Sequence, residues 1–331
     1  MNDVMTATGP VAARDIGTAL MHEHIFANTL IEDRATGLLV DYHLMTQELA
    51  AFSAVGGRTI VDLTTAEITS GASPDPTGRY RGVPSTGYPE NGSRSTNNVL
   101  ALAQIAGDTG LQIVLGTGHY RDPFLDRSLF DRFGVQRLTE RIVGDLTDGF
   151  PGTDVRAGII GEIGSDKWYI SALEERSFRA AARAQMQTGV ALSTHASRWP
   201  VGIDQLDILV AEGADPARVI IGHCDTINIP EYHEDVAARG AFVQFDTIRG
   251  NTDYDTRMRV GFVVNLARKG LLGQVLLSHD VCLRTHLHIS GGGGYDFIPG
   301  PFAVALKDAG LDSDDIEQLL VDNPRRALAG P

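Results

Sequence analysis

Cysteine is scarce in this chain, with two in 331 residues, and tryptophan is equally rare. Cys224 and Cys282 cannot supply a disulfide framework for a chain this long, so they read as small apolar filler in a reduced compartment. Positive charge is also in short supply. Lys and Arg total 28 against 42 Asp and Glu, a net charge of −14. That balance excludes nucleic acid as an expected partner, because phosphate binding needs a basic face. No apolar run approaches a membrane span, and no membrane partner is expected. Met1-Asn2-Asp3-Val4 has neither a basic segment nor an apolar one, so no secretory signal is read and the expected location is cytoplasmic.

What is present is a long alternation of Val- and Ile-rich runs with amphipathic stretches. The runs are Ala19 to His24, Thr59 to Thr65, Gln112 to Thr117, Arg156 to Ile163, Val190 to His195, Arg218 to His223, Ala241 to Asp246 and Gln274 to Asp280. Most are apolar throughout, as expected of parallel strands covered on both faces. Ser171-Ala172-Leu173-Glu174 predicts a capping box opening a helix to Gln187, with Gly189 as its left-handed stop. Eight strands alternating with helices predict one parallel (β/α)8 TIM barrel over residues 1–331, with a doubly wound open sheet as the competitor. Between Ala66 and Asn98 the link after the second strand is rich in Gly, Pro, Ser and Thr and far longer than a βα loop needs. It reads either as a pocket wall with Arg79, Tyr80, Arg81 and Tyr88 as contacts, or as a surface excursion or oligomer contact.

The chemistry gathers around Met21-His22-Glu23-His24. A strand points residues i and i+2 to one face, so both imidazoles converge. One His-x-His pair is weak evidence among ten histidines, and His286-Leu287-His288 supplies another. More telling is that Glu162, His195, His223 and Asp280 each end a separate predicted strand. In a barrel these ends face one mouth, whereas in an open sheet the first and last would be far apart. Taken singly, each histidine could equally be a hydrogen-bonded rim or core residue, and Glu162 could cap a helix. His286 and His288 read mainly as loop structure, with substrate contact as the lesser reading, and His279 points away from the centre.

Thr8-Gly9-Pro10, Met21-His22-Glu23-His24, Gly161-Glu162-Ile163-Gly164, Thr194-His195, Gly222-His223-Cys224-Asp225, Ser278-His279-Asp280 and Asn323-Pro324, as an ordered set, resemble the phosphotriesterase family of the amidohydrolase superfamily. The resemblance runs from about residue 6 to the C-terminus and has no counterpart for the stretch 66–98. It implies a centre of two divalent metal ions, zinc first among zinc, manganese, cobalt and iron(II). His22, His24 and Asp280 would hold one ion, and His195 and His223 the other. Glu162 would bridge where many members carry a carboxylated lysine. The implied mechanism is attack by a metal-bridging hydroxide, with Asp280 moving the proton to the leaving group. It also implies a small-molecule substrate and a homodimer.

Only the loops bear on the substrate. Tyr120 with Arg121, Arg249, Arg284 and Tyr295 are placed to line the mouth, and basic groups there suit a carboxylate, phosphate or polyhydroxylated substrate. Trp168 and Trp199 would instead form an apolar wall for an acyl chain. The first expectation is hydrolysis of a lactone or related carboxylic ester, and the alternative is hydrolysis of an N-acyl amide or phosphoester. A barrel that binds metal without catalysis should have shed a ligand, and this chain keeps all six candidates.

Overall fold

Runs of Val, Ile and Leu that are apolar at every position are stable only with both faces covered. Eight strands, built largely on such runs, form one parallel sheet in the computed structural model, which describes residues 3–72, 74 and 92–330. They are β1 (Thr18–Glu23), β2 (Gly57–Asp62), β3 (Gln112–Thr117), β4 (Ile159–Gly164), β5 (Leu192–His195), β6 (Val219–Gly222), β7 (Phe242–Phe245) and β8 (Val275–Leu277). Each pairs with its neighbour in chain order, with Ile60 opposite Ile113 and Val243 opposite Val275. That order is the TIM barrel expected from the alternation, and it removes the open sheet from consideration.

The cylinder closes between β8 and β1 through side chains as much as backbone. The amides of Asp280 and His24 donate to the carbonyls of His22 and Val281 at 3.1 and 3.2 Å. The fully buried Glu23 carboxylate accepts from Ser278 Oγ, the amides of His279 and Val281, and His279 Nδ1, all at 2.8 to 2.9 Å. A carboxylate taken out of water requires this density of donors. Here it fastens the last strand end to the first.

Two apolar layers follow from the alternation of side chains across each strand. The outer one packs Leu20, Ile60, Leu192 and Phe245 against helix residues such as Phe52 and Phe178. The inner one fills the barrel with Met21, Val61, Val114, Ile159, Ile220, Phe242 and Leu276, and is floored by Val4, Ile16 and Leu328. Full burial of such side chains contributes about 2 kcal/mol each. The covering helices are α1 (Tyr42–Ala54), α2 (Thr96–Thr109), α3 (Val135–Thr147), α4 (Ala172–Thr188), α5 (Gly202–Ala211), α6 (Pro230–Ala238) and α7 (Asp253–Arg268). Helix α4 opens on the expected capping box of Ser171 and Glu174 and stops at Gly189, whose φ is 69°.

Several strand ends are shorter than their apolar runs. β8 stops at Leu277 because Ser278 turns its hydroxyl to β1 and Asp280 adopts a left-handed φ of 52°. β4 starts at Ile159, since the Ala157 amide is drawn to the carbonyl of Asp145 in α3. Of the long link after β2, only its two ends belong to the described residues. Arg79, Tyr80, Arg81 and Tyr88 lie outside them.

Candidate metal centre

Glu162, at the end of β4, is the point on which the strand ends converge. Its carboxylate lies 2.8 Å from His195 Nδ1 and 3.4 Å from the Nε2 atoms of His22, His24 and His223. Asp280 Oδ1 lies 3.3 Å from His24 Nε2 and 3.9 Å from His22 Nε2. His195 Nδ1 and His223 Nε2 stand 2.8 Å apart. All six residues proposed from sequence are therefore brought together at the C-terminal mouth.

The imidazoles are held from behind. Asp246, just past β7, accepts from His22 Nδ1 at 2.8 Å and from His223 Nδ1 at 2.7 Å. It also accepts the His223 amide at 3.0 Å. That bond offsets the cost of the left-handed backbone at His223, whose φ is 57°. His24 Nδ1 bonds Thr64 Oγ1 at 2.9 Å, and the His24 carbonyl accepts the Tyr295 hydroxyl at 2.7 Å. Donation by Nδ1–H leaves each Nε2 lone pair facing the centre, the arrangement a metal-binding histidine needs. The sequence reading passed over Asp246 and Thr64. The signal for Asp246 was available, because it too is an acidic residue at a strand end.

Charge is strongly organised here. Burial works against the charged form of His24, but hydrogen bonds to Asp280 and Glu162 outweigh it and raise its pKa to about 9. For His223, burial is outweighed by Asp246, giving about 10. His195 goes the other way, lowered to about 3 by burial and by the neighbouring His223. Burial pushes the Asp280 carboxyl up, yet the Arg249 guanidinium and the His24 hydrogen bond hold it well below the usual carboxylate range. Arg249 Nη2 meets Asp280 Oδ2 at 2.6 Å.

A divalent cation fits this donor set. His22, His24 and Glu162 bring donor atoms within 4.8 Å of one another, as do His22, His223 and Asp246, and also Glu162, His195 and His223. His22 Nε2 is buried and has no hydrogen-bond partner. An orphaned nitrogen facing two carboxylates is what a coordination position looks like before its ion.

Above the centre lies a cavity of about 460 Å³, whose lining includes Tyr120, Arg121, Asp166, Arg198, Arg249, Cys282 and His286. Tyr120 Oη is 3.3 Å from His195 Nδ1. Tyr120 and Arg249 thus stand where sequence put them. Tyr295 and Arg284 do not. Tyr295 is fully buried behind His24, and Arg284 is exposed outside the lining, its amide bonded to the Thr36 carbonyl. Periodicity places a residue on a loop but does not say which way the loop turns it. Trp168 and Trp199 are 66% and 44% exposed and are not in the lining. His286 is in the wall, which favours the lesser of its two readings, a place at the substrate cavity over loop structure alone. Arg121 is paired with Glu32 and Asp166. Arg198 is the only arginine of the lining with no ion pair among the described residues, and no sequence signal singled it out.

The chain matches the model of the phosphotriesterase family over residues 2–73 and 91–328. It is 33% identical to the phosphotriesterase homology protein of Escherichia coli over 309 residues, 93% of this chain and 96% of that one. It is 29% identical to an N-acetyltaurine hydrolase of Dictyostelium discoideum over 307 residues, 88% of this chain and 74% of that one. Among solved structures, the lactonase Lmo2620 from Listeria monocytogenes superposes with a TM-score of 0.84 at 27% identity, covering 99% of both chains. With the TIM barrel and the cluster of donors at its mouth, these matches make the chain a hydrolytic enzyme that belongs to the phosphotriesterase family.

Proposed function

We propose that this protein hydrolyses a lactone or related carboxylic ester of small, polar build, using two divalent cations held at the barrel mouth. The observation that carries the reading is the Glu162 carboxylate with an imidazole nitrogen from each of four histidines within 3.4 Å. His22, His24 and Asp280 would hold one cation, His195 and His223 the other, with Glu162 shared between them. When bound, such a pair lowers the pKa of a water and polarises the carbonyl it attacks.

The chain's own residues do the rest. Asp280 is the carboxylate of the cluster that reaches the cavity, with a side chain 13% exposed against 1% for Glu162. Arg249 fixes its Oδ2 and leaves Oδ1 turned to the centre, so Oδ1 takes the proton of the attacking water and returns it to the leaving oxygen. Tyr120 can donate to the substrate beside His195, and Arg198, which has no ion pair among the described residues, favours a carboxylate, phosphate or hydroxyl at its far end. Both tryptophans lie outside the lining, which leaves Ile68, Leu283 and the ring of Tyr120 as a short apolar wall among the described residues. The resemblance to an N-acetyltaurine hydrolase supports a second reading, an N-acyl amide with an anionic tail, by the same residues.

Acid release from a panel of lactones, followed with a pH indicator on zinc-loaded and chelator-treated protein, tests the proposal. Chelator-sensitive turnover is the expected outcome. Turnover of acyl amides with none of lactones would move the assignment to the second reading, and turnover indifferent to chelator would overturn the metal mechanism.

A further inference from the structure

We propose that Arg94 and Asp62 are positioning residues that orient His24 through Thr64, so that the far end of the long link after β2 sets one corner of the metal centre. This rests on the metal reading given above. Arg94 comes four residues before Asn98, at the far end of that link, yet it is 2% exposed. Arginine is almost never this buried unless paired, and taking it out of water is costly. Its Nη2 donates to Asp62 Oδ1 and to Asn98 Oδ1, both at 2.9 Å.

Asp62, fully buried at the end of β2, distributes that hold. Its Oδ2 accepts the amide of Ile25, the residue after His24, at 2.9 Å, and its Oδ1 accepts the Thr64 amide at 3.3 Å. Thr64 Oγ1 is the partner of His24 Nδ1. Asn98 completes the anchorage by donating to the carbonyls of Phe26 and Ala72 at 3.0 and 2.6 Å. The guanidinium thus stands two side chains behind His24, and through Asp62 it also holds the Ile25 amide that follows the imidazole. A mere charge partner for Asp62 would need neither the bond to Asn98 nor the approach of Nη1 to the carbonyls of Asp62 and Gly116 at 3.5 and 3.4 Å. The planar, multidentate geometry is what a lysine cannot reproduce.

The test compares wild type with Thr64→Val, Arg94→Lys and the double variant Asp62→Asn/Arg94→Met, each loaded with zinc alone. The readouts are zinc release to a colorimetric chelator, the thermal midpoint of the metal-free protein, and exchange protection of the His24 Nδ1 proton by ¹⁵N-resolved NMR. We expect Thr64→Val and Arg94→Lys to release the more labile zinc at least tenfold faster and to lose the protected Nδ1 proton, at a midpoint within a few degrees of wild type. Unchanged release and unchanged protection would overturn the proposal. So would Arg94→Lys restoring both readouts while the double variant loses them in step with its midpoint, since that pattern marks Arg94 as a charge partner only. Should wild type hold no zinc, the metal reading fails, and the His24 proton alone decides between support and refutation of the positioning role.

Discussion

Asp246 concentrates more of the site's order than any residue it touches. It carries no donor of its own and receives three, the Nδ1 protons of His22 and His223 and the His223 amide. Replacement by Asn puts an NH2 group against one of those donors and frees an imidazole to choose its other tautomer. Outer-shell partners of this kind typically change metal affinity by about 10–100-fold. Asp246→Asn should therefore weaken zinc binding by about that factor in a competition titration, while Cys224, equally buried one residue past His223 but outside the cavity wall, should tolerate Ala without effect on zinc. Equal affinity in the Asn variant would mean that the barrel alone fixes the rings.

At the scale of elements, the join between β8 and β1 is where the barrel differs most from a simple ladder. Four hydrogen bonds run into the buried Glu23 carboxylate from Ser278, His279 and Val281. His279 passes the constraint on, its Nε2 accepting the Ile298 amide at 3.0 Å. Glu23→Gln keeps the shape, but sets an NH2 group against donors and removes the charge that made the bonds strong. A loss of about 2–4 kcal/mol is expected, visible as a lower urea or thermal midpoint. An unaltered midpoint would leave the closure to the backbone bonds alone. This join also marks the limit of what was legible. The eight strands could be read because parallel strands buried on both faces are mostly apolar throughout. Their ends could not, since Ser278 and Asp280 leave the ladder to serve contacts with a strand more than 250 residues away. Asp246 was legible as an acidic strand end, but its role behind the imidazoles was not, since its partners come from β1 and the turn after β6 and meet it only once the cylinder is closed. Tyr295 and Arg284 were misplaced because no periodicity governs the direction of a loop side chain.

For the whole molecule, the charge at the mouth predicts how stability follows pH. His24 and His223 have pKa values raised to about 9 and about 10 in the metal-free protein, against an unfolded value near 6.5. Their contribution is fully present below about pH 6.5 and is lost as pH rises through 9 and 10. His195, lowered to about 3, acts oppositely and destabilises as pH falls below about 6.5. Glu162, also held low despite its burial, chiefly by His22, loses its contribution as pH falls below the usual carboxylate range. The metal-free protein should accordingly have its highest thermal midpoint near pH 6.5 and decline toward pH 10. Zinc-loaded protein, whose histidines have already given up these protons, should stay level over the same alkaline range. Parallel curves with and without zinc would sever the link between these protons and the ion.

A single carboxylate stands behind one imidazole from each proposed ion position, and with ions in both it would couple them thermodynamically. Seating the first ion draws on the alignment of His22 or His223, and through Asp246 the other ring is aligned at the same moment, so the second ion meets a ring already ordered. With two ions bound as proposed, filling would be cooperative. At half-saturating metal the population would then consist mostly of empty and doubly filled molecules, and a preparation holding one ion per chain on average would be a mixture of two species rather than a uniform intermediate.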